Sequence, residues 1–456
     1  MTACNHCQEF SRARLLRRAA AQAGQGLPAI EPGMPTPAGT GLSRRSFLLR
    51  SSAAMLSVYG ASRLRIGDLG TGIARAAGGG DRVLVSVFLE GGADALSILA
   101  PTTDATYRAL RPNLALAEGA GTSFAEDDRL RWHPAAAAFD DLHRAGKLSV
   151  LPAVGYDGAD QSHFTSRHFW EVGALSAGET TGWMGRLLDQ IGSADNPVQG
   201  LALDGSLSPA LATASVPVSA VNGPSYDLWA ENVWDAPEEL MYQSVAELGA
   251  AAAGKDPART AAGLVAGQSM QLKAQLEPFS GEQISPPVAY PTGDGDWFGA
   301  SLSALAAMLA SGLPIRCAAI SAPGAFDTHD NQGDTFAGDL KLAADSLAAF
   351  QADLEARGLA DRVITLVWSE FGRRPEENDS GTDHGAAGTA FVLGKPVRGQ
   401  MIGEFPGLGQ LDADDNLRNT SDFRALYCSI VEQWFGVDAG VVVPDAPGMP
   451  RPALIG

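Results

Sequence analysis

The 456-residue sequence predicts an α/β protein with a doubly wound, mostly parallel sheet, helices on both faces, and an insertion or cap. Two observations carry this. Apolar, β-branched runs of the length of a buried parallel strand recur, separated by longer stretches of helical period. Four of these runs also end in a loop bearing an acid, a serine or a histidine, as strands do at the carboxyl edge of an open α/β sheet that holds a ligand. No period of about 20 to 50 residues marks a repeat architecture. With 45% hydrophobic and 19% charged residues the chain can bury one large core or two smaller ones.

Residues 1–80 read as a leader and linker. Ser43-Arg44-Arg45-Ser46-Phe47-Leu48 is a twin-arginine pattern, followed by an apolar stretch from Leu49 to Tyr59 interrupted by Arg50, and then by Ala74-Arg75-Ala76. This order predicts a Tat export signal with an Ala-x-Ala cleavage site, the Tat translocase as partner during export, and a soluble mature protein in the periplasm or outside the cell. The apolar stretch is too short to span a bilayer, and no later segment approaches about 18 unbroken apolar residues, so no transmembrane anchor is expected. Removing residues 1 to 76 takes away ten arginines and three acids, leaving 23 basic against 49 acidic side chains, a formal charge of -26. Such a surface repels nucleic acid and anionic lipid. An anionic substrate would need a local positive centre, which bound metal supplies. Cys4-x-x-Cys7 falls in the leader, while Cys317 and Cys428 sit in apolar segments and are expected as buried thiols. One disulfide between them stays open in an oxidising compartment.

The first core part, residues 81–194, begins with a strand over Arg82–Leu89 that runs directly into Gly91-Gly92-Ala93-Asp94. Lys147–Val154 is a second strand, and its loop leads to Gln161-Ser162-His163-Phe164 and a helix through Trp170. Ser162 falls at that helix's N-terminus, where backbone N–H groups favour anions. Residues 195–300 hold Pro, Gly and Asn clusters, a helix from Pro237 to about Ala253 and another from about Thr260 to Leu276, and read as the insertion or cap. In the second core part, 301–456, a helix at Phe298–Ser311 leads to a strand at Ile315–Ile320, the loop of Asp327 and His329, and a long helix from about Ala337 to Arg357. The strand Val363–Trp368 ends in Ser369-Glu370-Phe371-Gly372-Arg373, and the strand from Thr389 to Leu393 follows His384 closely.

Candidate chemistry gathers at these strand ends. Phe326-Asp327-Thr328-His329 and Thr382-Asp383-His384-Gly385 put carboxylates beside imidazoles in a chain with only seven histidines. Mixed hard and borderline ligands suit zinc, manganese or iron better than calcium. In a doubly wound sheet Asp94, Ser162, Asp327, His329, Glu370, Asp383 and His384 converge. A hydroxyl at a helix N-terminus beside one or two divalent ions is the arrangement for attack on a phosphate or sulfate ester. Arg373, Arg374 or Arg167 would clamp the remaining oxygens. The plainer alternative is that Ser162 and Asp94 only cap helices. No G-x-S-x-G elbow, Walker A loop, H-E-x-x-H or G-x-G-x-x-G is present. Thr181-Gly182-Trp183-Met184-Gly185-Arg186 is expected to shape a loop, with Trp183 a candidate for lining a pocket.

Taken together, Gly91 to Asp94, Ser162 to Phe164 with Trp170 to Gly173, Thr181 to Arg186, Phe326 to His329, Trp368 to Arg373 and Thr382 to Gly385 resemble the motifs of the bacterial domain-of-unknown-function 1501 family. The resemblance runs from Val83 to about Gly436. It implies an alkaline phosphatase-like fold, a distant branch of the alkaline phosphatase and sulfatase superfamily. By that resemblance Asp94 stands where the superfamily keeps a metal-binding acid and Ser162 where it keeps its nucleophile. Asp327 and His329 resemble its Asp-x-x-x-His pair at a spacing two residues shorter. The strand Val363–Trp368 should then end in Asp-His-Gly but ends in Glu370-Phe371-Gly372, and Phe371 cannot ligate metal. His384 matches the last metal histidine by position. One site from Asp327, His329 and His384 is therefore implied, while a second, from Asp94, Ser162 and Glu370, lacks an imidazole that His163 would have to supply. Asp383 is either a ligand or a partner to one. The residues after Ser162 disfavour formylglycine chemistry.

The expected function is an exported metal-dependent hydrolase of a phosphate or sulfate ester, using zinc, manganese or a similar divalent ion. Its substrate is an anionic ester, either a small molecule or a glycan or lipid. Ser162, His163 and Arg373 are the expected catalytic residues, and Asp94, Asp327, His329, Glu370, Asp383 and His384 the expected metal residues. The alternative is a non-catalytic extracytoplasmic binding protein on the same fold, acting through residues 195–300.

Overall fold

Val83–Phe88 (β2) is buried at every position and lies mid-sheet, flanked on both sides by parallel strands. A computed structural model describes residues 58–59, 81–223, 236–252, 257–279 and 284–456. The twin-arginine motif, the cleavage site and Cys4-x-x-Cys7 lie outside the described residues. The other strands of the central sheet are Val58–Tyr59 (β1), Leu148–Gly155 (β3), Gly200–Ala202 (β4), Val218–Ala220 (β5), Cys317–Ser321 (β6), Val363–Trp368 (β7), Gly388–Leu393 (β10) and Ser421–Asp422 (β11). Arg373–Glu377 (β8) and Thr382–His384 (β9) form a separate antiparallel ribbon. The central order is β1-β5-β4-β6-β2-β7-β10-β3-β11. Pairing is parallel from β5 through β7 and between β3 and β11, and antiparallel at β1/β5, β7/β10 and β10/β3. The chain is thus a mixed α/β protein around a large, mostly parallel sheet.

This topology decides what meets at one edge. The adjacent strands β6, β2 and β7 run the same way, so the loops after Ser321, Phe88 and Trp368 open together. Because β10 runs the other way, residues that precede it, His384 among them, arrive at that same edge. β3 is antiparallel to β10 and so points there as well, and its following loop leads into the helix His163–Val172 (α1). Five loops distant in sequence therefore share one edge without any long excursion.

Alternation along the buried strands turns Leu84, Ile364, Leu366 and Trp368 into one apolar cluster with Trp170 of α1, Leu187 and Leu188 of the helix Trp183–Ile191 (α2), and Tyr427. Trp170 stacks on Trp368 at 5.4 Å and on Phe423 at 4.6 Å, contacts worth about 0.5–1.5 kcal/mol each beyond their buried area. Trp183 stacks on Tyr427 at 4.1 Å and is 1% exposed, so it fills the core instead of lining a pocket. Of the stretch expected as an insertion, Gly200–Ala202 and Val218–Ala220 are strands of the central sheet. Cys317 and Cys428 are buried free thiols, and burial pushes the Cys317 thiol up to about 12.

The chain separates into two compact units, one of which holds residues 236–252 and 257–267. Within it the helix Ala236–Ala252 and the start of the helix Pro257–Leu276 approach so closely that a Cβ on Gly263 would lie 2.3 Å from the Gly249 carbonyl oxygen. Among the described residues no helix is long and apolar enough to cross a membrane.

Candidate metal centre

The turn after β2 is built from two glycines with positive φ, 115° at Gly91 and 76° at Gly92. Both are required by close approach: a Cβ on Gly91 would sit 2.3 Å from the Asp327 nitrogen, and one on Gly92 would sit 2.3 Å from the Phe371 ring. Phe326 N–H donates to the Glu90 carbonyl at 3.0 Å, pinning the loop after β6 against this turn. The N–H groups of Gly91 and Gly92 each donate to the buried Glu370 carboxylate at 3.1 Å. A chain reversal with its amides turned inward thus holds an acid that the rest of the interior would expel.

That acid orients an imidazole. His163 Nδ1 lies 2.7 Å from Glu370 Oε1, His329 Nδ1 lies 3.1 Å from Asp383 Oδ1, and His384 Nδ1 lies 2.8 Å from the Gln161 carbonyl oxygen. A carbonyl and two carboxylates can only accept, so each neutral ring carries its proton on Nδ1 and turns an Nε2 lone pair the other way. All three lone pairs point at Asp327. His163 Nε2 is 3.4 Å from Asp327 Oδ2, and the Nε2 atoms of His329 and His384 are each 3.2 Å from Oδ1. His329 Nε2 and His384 Nε2 stand 2.9 Å apart. His163 Nε2 is buried and makes no hydrogen bond.

Lone pairs gathered round a carboxylate repel one another unless a proton or a metal cation lies among them. One ligand atom each from His163, Asp327 and His384 falls within 4.8 Å of the other two. Two imidazole nitrogens and a carboxylate oxygen, from His163, His384 and Asp327, form a donor set suited to zinc or a similar divalent ion, and His329 Nε2 stands beside them 3.2 Å from Asp327 Oδ1. Imidazoles held by carboxylates or carbonyls through the opposite nitrogen are the usual support for such a set. The residues present therefore fit a metal.

Charges follow the same layout. Burial works against the Asp327 carboxylate, but the hydrogen bond and charge of Arg373, with His163 and His384, outweigh it and bring its pKa down to about 2. Burial also works against a charged His163, and the Glu370 and Asp327 carboxylates overcome it, raising that pKa. At His384 burial dominates, and the nearby charges of His163 and Arg373 add to it, so the pKa is lowered.

The remaining sequence candidates are placed differently from expectation. Asp94 is fully buried, with Arg111 across both carboxylate oxygens at 2.5 and 3.0 Å and with Ser97 Oγ and Gln332 Nε2 each at 2.6 Å. Its lone pairs are spent on donors, so it is an anchor for Arg111 and not a metal ligand. Arg373, expected to clamp substrate, is buried and donates to the carbonyls of Gly91, Gly92, Phe326 and Thr382 and to Asp327 Oδ1 at 2.6 Å. Its side chain is fully buried and so is not presented to a substrate. Glu370, expected as a ligand, and Asp383, expected as a ligand or a partner to one, hold His163 and His329 in orientation. His163, expected as catalytic, supplies an imidazole to the donor set. Ser162 caps α1, its Oγ accepting from Thr165 N–H at 3.5 Å. Phe371, where the missing histidine would stand, packs its ring 4.9 Å from that of His163 and 4.8 Å from that of His384.

Three contributors left little trace in the sequence. Gln161 acts through its carbonyl, and its only signature is a positive φ of 57° just before α1. Gln332 bridges Asp94 to Thr328 and Thr382. Asn378 braces Asp383 at 3.1 Å.

A family model described as "Protein of unknown function (DUF1501)" matches residues 162–431. No functionally curated protein matches the chain. Remote backbone likenesses include a protein of the alkaline phosphatase superfamily from Vibrio parahaemolyticus (10% identity, 86% of this chain and 76% of that one, TM-score 0.35). A second is the lipoteichoic acid synthase LtaP from Listeria monocytogenes (10%, 86% and 78%, TM-score 0.34). A third is the PsFucS1 sulfatase from Pseudoalteromonas sp. (11%, 85% and 72%, TM-score 0.32).

Proposed function

This chain belongs to the DUF1501 family, and from that premise and the geometry of its sheet edge we propose that it is an exported, metal-dependent hydrolase of phosphate or sulfate esters. The observation that carries the reading is the convergence of three imidazole Nε2 atoms on Asp327, each ring fixed by an acceptor at its Nδ1. His163, Asp327 and His384 would hold the ion, with His329 beside them. A divalent ion there supplies Lewis-acid polarisation of an ester oxygen and a lowered pKa for the attacking hydroxyl or water.

The protein's own groups do the rest. Arg373 keeps Asp327 ionised, and Glu370 and Asp383 keep the imidazoles in the ligating tautomer. Ser162, one residue before His163, is the proposed nucleophile. Its capping bond of 3.5 Å is at the long limit for a hydrogen bond, so the hydroxyl can be released at little cost. Substrate reaches the centre through an open depression lined by Gln161, His329, Arg374, Asp383 and His384. Export rests on the twin-arginine leader. The binding-protein alternative drew its support from the missing imidazole at Phe371, and His163 supplies an imidazole by another route.

Metal analysis of the purified mature protein, dialysed against zinc or manganese, tests the reading. Near-stoichiometric divalent ion is expected, with occupancy reduced at least about tenfold in His163→Ala and His384→Ala. Unchanged occupancy in both variants would sink the metal centre. Aryl phosphate mono- and diesters and aryl sulfates, turned over by wild type but not by Ser162→Ala, would identify the nucleophile.

A further inference from the structure

We propose that Arg374 is the anion-recognition residue of this protein, presenting its guanidinium to the tetrahedral oxyanion of a phosphate or sulfate ester in the depression beside His329 and His384. The proposal deepens the hydrolase reading and rests on it.

Of the three arginines near the edge, two are already committed. Arg373 is fully buried under the turn and bonded to Asp327 and four backbone carbonyls. Arg167 donates to Glu171 Oε1 and Glu90 Oε1, each at 3.0 Å, and its guanidinium lies 4.5 Å over the Phe88 ring. Arg374 differs from both. Its backbone is anchored, because its carbonyl accepts from Arg111 at 2.8 Å and β8 is paired with β9 so that Arg373 stands opposite His384. Successive strand residues face opposite ways. The alternation that sends Arg373 into the interior therefore turns Arg374 outward, and its side chain lines the open depression with Gln161, His329, Asp383 and His384. It is only partly exposed, yet among the described residues its guanidinium makes no hydrogen bond or ion pair.

A guanidinium has five N–H donors in a fork that matches two oxygens of a phosphate or sulfate. Asp383 is the one carboxylate among the residues lining this depression; it accepts from His329 Nδ1 and Asn378 Nδ2, each at 3.1 Å, and the nearby charge of Arg374 also favours its ionised form. The N-terminus of α1, which starts just past Gln161, adds the positive end of a ten-residue helix to the same side. In a chain whose formal charge is -19, the guanidinium and the helix end put positive charge on this face, beside Asp383.

The test measures binding of inorganic phosphate and inorganic sulfate by calorimetry, with the full-length protein both metal-free and zinc-loaded, alongside Arg374→Ala and Arg374→Lys. Zinc affinity is measured separately in each variant. Loss of the fork should weaken anion binding about tenfold to a hundredfold in Arg374→Ala, the range expected for charge-assisted hydrogen bonds, with zinc affinity unchanged and partial recovery in Arg374→Lys. The anion bound more tightly by wild type assigns the ester class. Equal anion binding by wild type and Arg374→Ala in both metal states, or none by wild type in either, overturns the proposal. Failure of zinc to bind wild type would instead strike the hydrolase reading, and the metal-free arm would still decide the role of Arg374.

Discussion

Asp94 and Asp327 follow neighbouring parallel strands, each against an arginine at nearly the same distance, 2.5 Å to Arg111 and 2.6 Å to Arg373, yet they have opposite fates. Around Asp94 every further neighbour is a donor: Ser97 Oγ, Gln332 Nε2 and the Leu96 N–H. Around Asp327 the further neighbours are imidazole lone pairs. The side chain of Asp94 is 0% exposed, that of Asp327 44%. An acid at a strand end is therefore a ligand or a brace according to what faces it, and an arginine partner alone does not decide which. Donors saturate a carboxylate, whereas acceptors gathered round it call for a cation.

The strongest way to break this contrast is to remove Arg111. Taking one partner from a buried ion pair leaves the other charged and unpaired, and Arg111→Ala should cost about 3–5 kcal/mol in urea unfolding. Metal bound per folded chain should not change, because Asp94 faces no ligand. A cost below about 1 kcal/mol, well under the range for a broken buried pair, would mean that Asp94 is not held by Arg111 and would return it to the set of candidate ligands.

A smaller effect sharpens the comparison from the other side. Glu370→Gln keeps the shape and leaves an oxygen for the Gly91 and Gly92 N–H groups, but it removes the charge that holds His163 Nδ1–H. Metal affinity, read by competition with a chelating dye, should fall about 10- to 100-fold while stability changes much less. If Asp94→Asn lowered affinity as much as Glu370→Gln, the distinction between brace and metal centre would collapse.

The fold was more legible than the site for a physical reason. Val363–Trp368 could be read to the residue because a central parallel strand is buried on both faces and shows as an unbroken apolar run. The long helix, expected from about Ala337, begins at Gln332 after Asn331 at a φ of 52°, with no capping side chain to announce it. Asp327, His329 and His384 could be found because strand direction alone brings them to one edge. His163 was expected to supply an imidazole to a second site with Asp94, Ser162 and Glu370; it instead faces Asp327, because Glu370, 207 positions away, holds its Nδ1. Arg373 could not be told from Arg374 as the candidate clamp because Arg373–Glu377, with its proline and charges, does not read as a strand, so the alternation that buries Arg373 and leaves Arg374 partly exposed was invisible.

The mildest test lies in acid. Burial opposes ionisation of Asp94, but the charge and hydrogen bonds of Arg111, with Ser97 and Gln332, more than offset it and hold its pKa below the ordinary 3.8. A carboxylate depressed in the fold stabilises the protein fully above its unfolded value. That stabilisation is lost as pH falls from 3.8 through the lower folded value. Unfolding free energy measured from about pH 5 downward should therefore drop for wild type in this window. Asp94→Asn, already less stable at neutral pH because Arg111 stays buried without its partner, should show a shallower acid limb, since one titrating group with a depressed pKa is gone. Parallel acid limbs for the two proteins would show that the stabilising pair is not the one that the geometry identifies, and would reopen the question of which acid is the brace.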